Sequence, residues 1–570
     1  MKIYCDPSFA FARCLAIIVV AANLVLVSQG EPALGQRGMV ATVHPLATEA
    51  GLQALRRGGN AIDAAVAAAL TLGVVNGYNS GIGGGCLMLI HLANGRTVAI
   101  DGREAAPLAA VRNMYVRNNR ADPQLSQLGA LSVATPGSLM AYSYASRTYG
   151  RLKLSDPLLV AARIAESGFQ IDADYARVLA AHANELNGFE SSRAIFLHPN
   201  GSPKKAGEIL RQPDLAATYR AIAANGTDWF YKGVFALAIG DWMFRNGGIL
   251  NFNDFAIYQS RLRDPVVSTY RGYTIVGFPP PSSGGVHVAQ ILNILENFDL
   301  AKIRATNSVD AIHVTSEAMK LAFADRAYWL GDPDFIKVPR GLTSKAYATK
   351  LASRIRMDRV ANVIQHDVPP GAQKDFFRQH TTHFSAADAA GNWVACTATI
   401  NTSFGSKIVV PGTGVLLNNE MDDFSIQPGV PNFFGLVGAE ANAIAPRKRP
   451  LTSMSPTIVL KSGKPVLALG AAGGPTIISQ VVLAIINTID FGMGLEAALA
   501  QPRFHHQWAP NRITIEKAAG EKVLPELEKR GHMLTPVDSL GVTQAVAANP
   551  TNRAFIGAHD PRVNGKAAGW

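Results

Sequence analysis

Cysteine is scarce in this chain of 570 residues, with four in all. Cys5 and Cys14 fall within the first thirty residues, which leaves Cys86 and Cys396 for everything after. Two thiols so far apart, each among apolar neighbours, exclude a disulfide-stapled scaffold and read as buried, although an exported protein could pair them. Charge is also sparse, at 17% of residues, while 48% are apolar; this excludes a disordered chain and calls for a large interior. The net charge is +11, yet no Lys/Arg run exceeds Arg447-Lys448-Arg449. Without a basic tract to track phosphates, the excess reads as that of a soluble basic protein, and no nucleic-acid partner is expected. The adjacent His505 and His506 have no matching carboxylate or cysteine set, so they read as packed side chains; no metal and no cofactor is expected.

Long apolar runs are few. Leu15–Val27 follows Lys2 and Arg13 and precedes Ser28-Gln29-Gly30. It is short for a membrane span and reads as a secretory signal over residues 1–30, which places the protein in the periplasm or outside the cell. An uncleaved anchor is the alternative. The stretch from Ile477 to Ile489 is interrupted by Ser479, Gln480 and Asn487, and reads as a buried helix.

Helices are expected at 47–58 and 60–72, the second capped by Asn60 and apolar nearly all round, then at 286–297 and 309–330. Gly81-Ile82-Gly83-Gly84-Gly85 lacks the ending of a phosphate loop and precedes a strand at 86–91, so close backbone packing is its expected role. From residue 381 the texture turns to β: strands at 383–387 and 393–400 around the turn Ala389-Ala390-Gly391-Asn392, then 414–417, 454–461 and 465–469, with helices at 477–489 and 495–500. If Asp388 faces Trp393, Thr381 falls opposite Ile400, and Thr399 lies one residue away.

The chemistry centres on Thr381-Thr382-His383-Phe384-Ser385, just after the polar segment 357–380. A threonine hydroxyl is a poor nucleophile without a base. Cutting the chain before it supplies one, since its own α-amine is then free. Three further groups stand out. Asn418-Asn419-Glu420-Met421-Asp422-Asp423 sets carboxylates beside amides. Arg449-Pro450-Leu451-Thr452-Ser453 sets hydroxyls near a cation. Gly473-Gly474, after an apolar strand, offers backbone N–H groups for an oxyanion.

Together with Gly59-Asn60-Ala61-Ile62-Asp63, Ser80–Gly85, Asp101-Gly102-Arg103-Glu104 and Pro502-Arg503-Phe504-His505-His506, these motifs resemble the γ-glutamyltransferase family from about Gly38 to Asp560. The resemblance implies an α+β fold of the N-terminal-nucleophile hydrolase type, a four-layer αββα sandwich with two stacked antiparallel sheets between helical layers. It implies self-cleavage between His380 and Thr381 into a large subunit (31–380) and a small one (381–570) that stay together as a heterodimer. It also implies that Thr381 forms a γ-glutamyl ester from glutathione or a related compound, which water or an amino-acid or peptide amine resolves. By the same carry-over, Thr399 supports Thr381, and the Gly473 and Gly474 N–H groups hold the oxyanion. Arg103, with Thr452 and Ser453, binds the substrate α-carboxylate, the alternative being a structural ion pair with Glu104 or another acid, while Asn401, Glu420 and Asp423 receive its α-ammonium group. Asp422 is then the solvent-facing or structural member of its pair, and His383 is not the base.

Three departures stand out. Phe434 occupies a lid position (428–438) where many relatives have tyrosine, which implies a looser lid. Thr452 stands where serine is common, and His380 is unusual before the cut. The competing enzyme reading is a cephalosporin (glutaryl) acylase, whose substrate lacks the ammonium group; an unprocessed periplasmic binding or scaffold protein is a third.

Overall fold

Strands that are apolar on both faces make the centre of the computed structural model, which describes residues 32–377, 386–552 and 554–570. The signal segment, the His380–Thr381 junction, His383 and most of the expected strand at 383–387 lie outside those residues. Among the described residues no helix is long and apolar enough to cross a membrane.

Two seven-stranded sheets are antiparallel throughout. The first runs, in spatial order, Ala33–Gly35, Phe555–Ala558, Val542–Ala548, Lys464–Ala472, Thr457–Lys461, Tyr273–Gly277 and Val266–Tyr270. The second runs Lys566–Gly569, Gly38–Thr42, Ala387–Asp388, Trp393–Thr399, Gly85–His91, Thr97–Gly102 and Arg261–Arg263. Each sheet therefore interleaves strands from before and after residue 380.

The twofold alternation of strand side chains sorts the interior into layers. Met88 and Ile90 face a core built with the helices Pro45–Arg56, Ala61–Val75 and Ser138–Tyr149. Leu89, between them, meets Val276, Ile458, Ala468 and Val546 from the other sheet. Ile275, Val459, Leu467 and Leu469 turn the opposite way, onto the helices Gly284–Leu295, Ser308–Trp329 and Thr476–Ile489. Helix, sheet, sheet, helix is the αββα order expected.

Local chemistry fixes the elements. Asn60 Oδ1 accepts from the Ile62 and Asp63 N–H groups, and Asp63 Oδ2 accepts from the Asn60 N–H, closing a capping box. A Cβ at Gly83 would lie 2.1 Å from the Leu416 carbonyl oxygen, and one at Gly84 2.0 Å from that of Thr399. The glycine run is thus where two backbones touch, and one of them carries Thr399.

Two expectations are corrected. Residues 414–417 form no strand: Gly414 sits at φ 66° with the Leu215 backbone against its α-carbon, and a single bridge joins Val409 to Leu416. The hairpin register is shifted by one, because Ala387, not Asp388, pairs with Trp393. Asp388 ends its strand where the turn begins, opposite Gly38. Its carboxylate accepts from the Asn392 N–H, the Asn392 side chain and the Ala61 N–H at the head of the following helix.

Candidate active site

Thr399 closes its strand, and its Oγ1 accepts the Asn401 N–H at 2.7 Å. Asn401 takes a left-handed conformation (φ 77°) and donates its side-chain amide to the Asn419 carbonyl at 3.0 Å. This ties the strand end to the 3₁₀ turn Glu420–Asp423. Asn418, fully buried, fixes that turn from behind: it donates to the Gly83 and Ala134 carbonyls at 2.8 Å and accepts from the Ala134 and Glu420 N–H groups. Within the turn the acids diverge. Asp422 accepts from Ser126 Oγ (2.8 Å), Gln127 Nε2 (3.2 Å) and the Phe433 N–H (3.0 Å), which is an anchoring set. Burial pushes its carboxyl up to about 6.

Glu420 and Asp423 meet Arg103. The guanidinium is fully enclosed; Nη1 pairs with Glu420, Nη2 donates to Asp423 at 2.5 Å and Nε to the Pro450 carbonyl at 3.1 Å. Glu104 lies 3.4 Å from Nη1. One cation therefore serves three carboxylates. Burial pushes the Glu104 carboxyl up to about 7 despite Arg103, and raises Glu420 well above the usual range. Glu104 Oε1 and Glu420 Oε2 have no hydrogen-bond partner among the described residues. This cluster holds more acid than it can neutralise, which is the character of a cation-binding half-site.

Thr452 and Ser453 approach from the loop before the Thr457–Lys461 strand. Thr452 Oγ1 accepts the Met454 N–H, and Ser453 Oγ accepts from Arg326. Gly473 (φ 134°) and Gly474 (φ 59°) form the turn between the Lys464–Ala472 strand and the Thr476–Ile489 helix. Only glycine adopts these angles without strain. The Phe434 ring lies on Gly474: a Cβ there would meet it at 2.6 Å. The Phe434 carbonyl accepts from Gln507 Nε2 at 3.2 Å, and Asn432 bridges the loop to Asp423 at 3.3 Å. A loop thus covers the two glycines, held through backbone and Asn432 rather than through the ring at 434.

Eight of the sequence-derived residues line one cavity of about 250 Å³: Thr399, Asn401, Glu420, Asp423, Thr452, Ser453, Gly473 and Gly474. Arg103 sits a layer behind, reached through the two acids. His380 and Thr381 lie outside the described residues. No motif singles out Arg326 or Ser283 as functional, and the sequence marks Asn418 only as an amide beside the acids. His505 bonds Ser479 (2.6 Å) and Gln507 (3.0 Å), and His506 bonds the Trp508 N–H and Asn511, so both rings are occupied within the fold. Among the described residues no three His, Cys, Asp or Glu side chains are grouped to hold a metal.

The cavity thus joins an acidic recess, a pair of hydroxyls and a two-glycine turn, an arrangement suited to a zwitterionic group with an acyl carbon beyond it. The Gamma-glutamyltranspeptidase family profile matches residues 47–570. The glutathione hydrolase proenzyme of Escherichia coli (strain K12) is 44% identical over 543 residues, covering 95% of this chain and 93% of that protein. The acylase ACY 1 proenzyme of Pseudomonas sp. (strain SE83) is 40% identical over 531 residues, covering 91% of each. Among solved structures, a cephalosporin acylase from Bacillus halodurans superposes with a TM-score of 0.83 at 29% identity, covering 95% of this chain and 97% of that one. With the match running through nearly all of the chain and through every motif around the cavity, this protein belongs to the γ-glutamyltranspeptidase family.

Proposed function

We propose that the protein is an exported, self-processing γ-glutamyltransferase and glutathione hydrolase. The precursor cuts itself between His380 and Thr381. Thr381 Oγ attacks the His380 carbonyl carbon, the peptide C–N bond gives way to an ester, and water opens the ester to a carboxylate and a free Thr381. The pieces 31–380 and 381–570 stay joined because each sheet needs strands from both. In turnover the Thr381 α-amine takes the Oγ proton as Oγ attacks the γ-carbonyl. The oxyanion faces the Gly473 and Gly474 N–H groups, and each such donor contributes about 3 kcal/mol. The leaving amine departs with the proton, and water or an acceptor amine releases the glutamyl group. Thr399 supports the nucleophile.

The observation that carries the substrate assignment is the Arg103 cluster. A γ-glutamyl donor ends in one carboxylate and one ammonium group. Its carboxylate takes up Arg103 with Thr452 and Ser453, while its ammonium replaces Arg103 as partner of Glu420, Asp423 and Asn401, so the exchange conserves charge. Relatives with acylase names give the glutaryl reading a footing. A glutaryl group brings only the carboxylate, however, and strips Arg103 from acids left with nothing in return, a costly outcome in a buried site. Rates on L-γ-glutamyl and glutaryl p-nitroanilides decide between the two. A strong preference for the first is expected, and equal or reversed rates would make this an acylase.

A further inference from the structure

Among the described residues the buried arginines are paired with acids, with one exception. Arg103 has Glu420 and Asp423, Arg263 has Asp101 and Asp334, Arg449 has Asp101, and Arg503 has Asp560. Arg326, in the helix Ser308–Trp329 and 4% exposed, instead donates from Nε to Ser283 Oγ at 2.9 Å and from Nη2 to Ser453 Oγ at 3.0 Å. Burial pulls its pKa down to about 10, opposed only by the more distant Asp423. A cation held on two neutral hydroxyls is expensive to bury and is not explained by stability.

Its partners explain it. Ser453 lines the cavity, and a hydroxyl has one hydrogen and two lone pairs. With a lone pair held by a guanidinium, the Ser453 hydrogen is polarised and free to point into the cavity. Ser283, the other partner, donates both its Oγ–H and its N–H to the Thr452 carbonyl at 2.8 Å, fixing the neighbouring hydroxyl residue. A single cation therefore holds the Ser453 hydroxyl directly and, through Ser283, the backbone of Thr452. Arg103, the other cation at hand, is already outnumbered by acids.

We propose that Arg326 is a positioning residue for the substrate α-carboxylate: without touching substrate, it fixes the Ser453 and Thr452 donors and supplies the uncancelled positive charge behind them. This rests on reading the cavity as a γ-glutamyl site. The test compares wild type, Arg326→Gln, Arg326→Lys, Ser453→Ala and the Arg326→Gln/Ser453→Ala double variant. The readouts are KM and kcat for L-γ-glutamyl-p-nitroanilide and competitive inhibition by 4-aminobutyrate, which is glutamate without its α-carboxyl group. Arg326→Gln should raise KM by roughly 10- to 100-fold, as for loss of a charge-assisted contact, with kcat within about threefold. Inhibition by 4-aminobutyrate should not change, Arg326→Lys should recover part of the loss, and the double variant should lose far less than the product of the single losses. Equal weakening of anilide and 4-aminobutyrate, or multiplicative losses, would overturn the proposal. Should Arg326→Gln fail to fold, the same comparison on Arg326→Lys decides it. The parent reading fails separately, if 4-aminobutyrate binds wild type as tightly as L-glutamate.

Discussion

Asp101 and Arg103 are two residues apart and both fully buried, yet they anchor two charge clusters of opposite character. Around Asp101, two arginines face three aspartates. Arg263 reaches Asp101 at 2.6 Å, Asp334 at 2.9 Å and Asp332 at 3.6 Å, while Arg449 pairs with Asp101. Burial would raise the Asp101 carboxyl, but Arg449 and Arg263 hold it below the ordinary range; only Asp332, within the core of this cluster, is pushed up by burial. Around Arg103, one guanidinium faces three acids, and Glu104 and Glu420 rise. The first cluster is close to neutral and joins the Thr97–Gly102 and Arg261–Arg263 strands to the Arg449 loop. The second is left with surplus acid where the cavity begins. Near-balance suits a structural network, and imbalance suits the binding of a charged group.

The largest effect should come from breaking the balanced cluster. Arg263→Met leaves three aspartates without their shared cation and should cost about 3–5 kcal/mol, read as a loss of thermal stability before any kinetic defect. An unchanged melting temperature would deny the contrast. Asp423→Asn relieves the crowded cluster instead. It should raise KM for the γ-glutamyl anilide by roughly 10- to 100-fold with stability kept or improved. Loss of stability without a KM change would make the second cluster structural as well.

The pH dependence sharpens the same point. Glu104 holds its proton more tightly folded, at about 7, than unfolded, where it titrates in the ordinary carboxylate range. Its contribution to stability is therefore present at low pH and is lost as pH rises toward and through 7, by at most about 1.4 kcal/mol per pH unit. Denaturant unfolding of wild type and Glu104→Gln across this window should show the variant with the flatter profile; parallel profiles would place the proton elsewhere. The smallest effect is expected at the lid. Phe434→Tyr adds a hydrogen-bonding hydroxyl over Gly474 and should shift the ratio of transfer to hydrolysis by a few-fold at most, about 1 kcal/mol or less. An unchanged ratio would mean that the backbone contacts of Phe434 and Asn432 already close the loop.

Much of this was legible in the sequence because it is local. Asn60 and Asp63 announce a helix start, the glycine run announces touching backbones, and the apolar strands announce sheets covered on both sides. The cavity-lining residues followed from the motifs that carry the family resemblance. What escaped is set by distant partners. The hairpin slipped by one residue because Asp388 is claimed by the Ala61 N–H, 327 positions away. Val415-Leu416-Leu417 is an apolar run as in a buried strand, but Gly414 takes a left-handed conformation against the Leu215 backbone. Arg326 escaped because Asp325-Arg326 reads as an ordinary charged step on a helix. In the fold the two diverge, Asp325 to Gln290 and Tyr347, Arg326 to the serines. The imbalance at Arg103 was equally hidden, since Glu104 and Glu420 are 316 residues apart in sequence.

The proposed reaction requires a cut at His380–Thr381 that frees a reactive threonine to work with the acid-rich recess and the two-glycine turn. Mass spectrometry and N-terminal sequencing of the purified protein, beside Thr381→Ala, test it most directly. Wild type should give two fragments, the smaller beginning at Thr381, and turn over the γ-glutamyl anilide, and the variant should stay a single inactive chain. An intact wild-type chain that still turns over the anilide, or a Thr381→Ala protein that is cut and active, would contradict it.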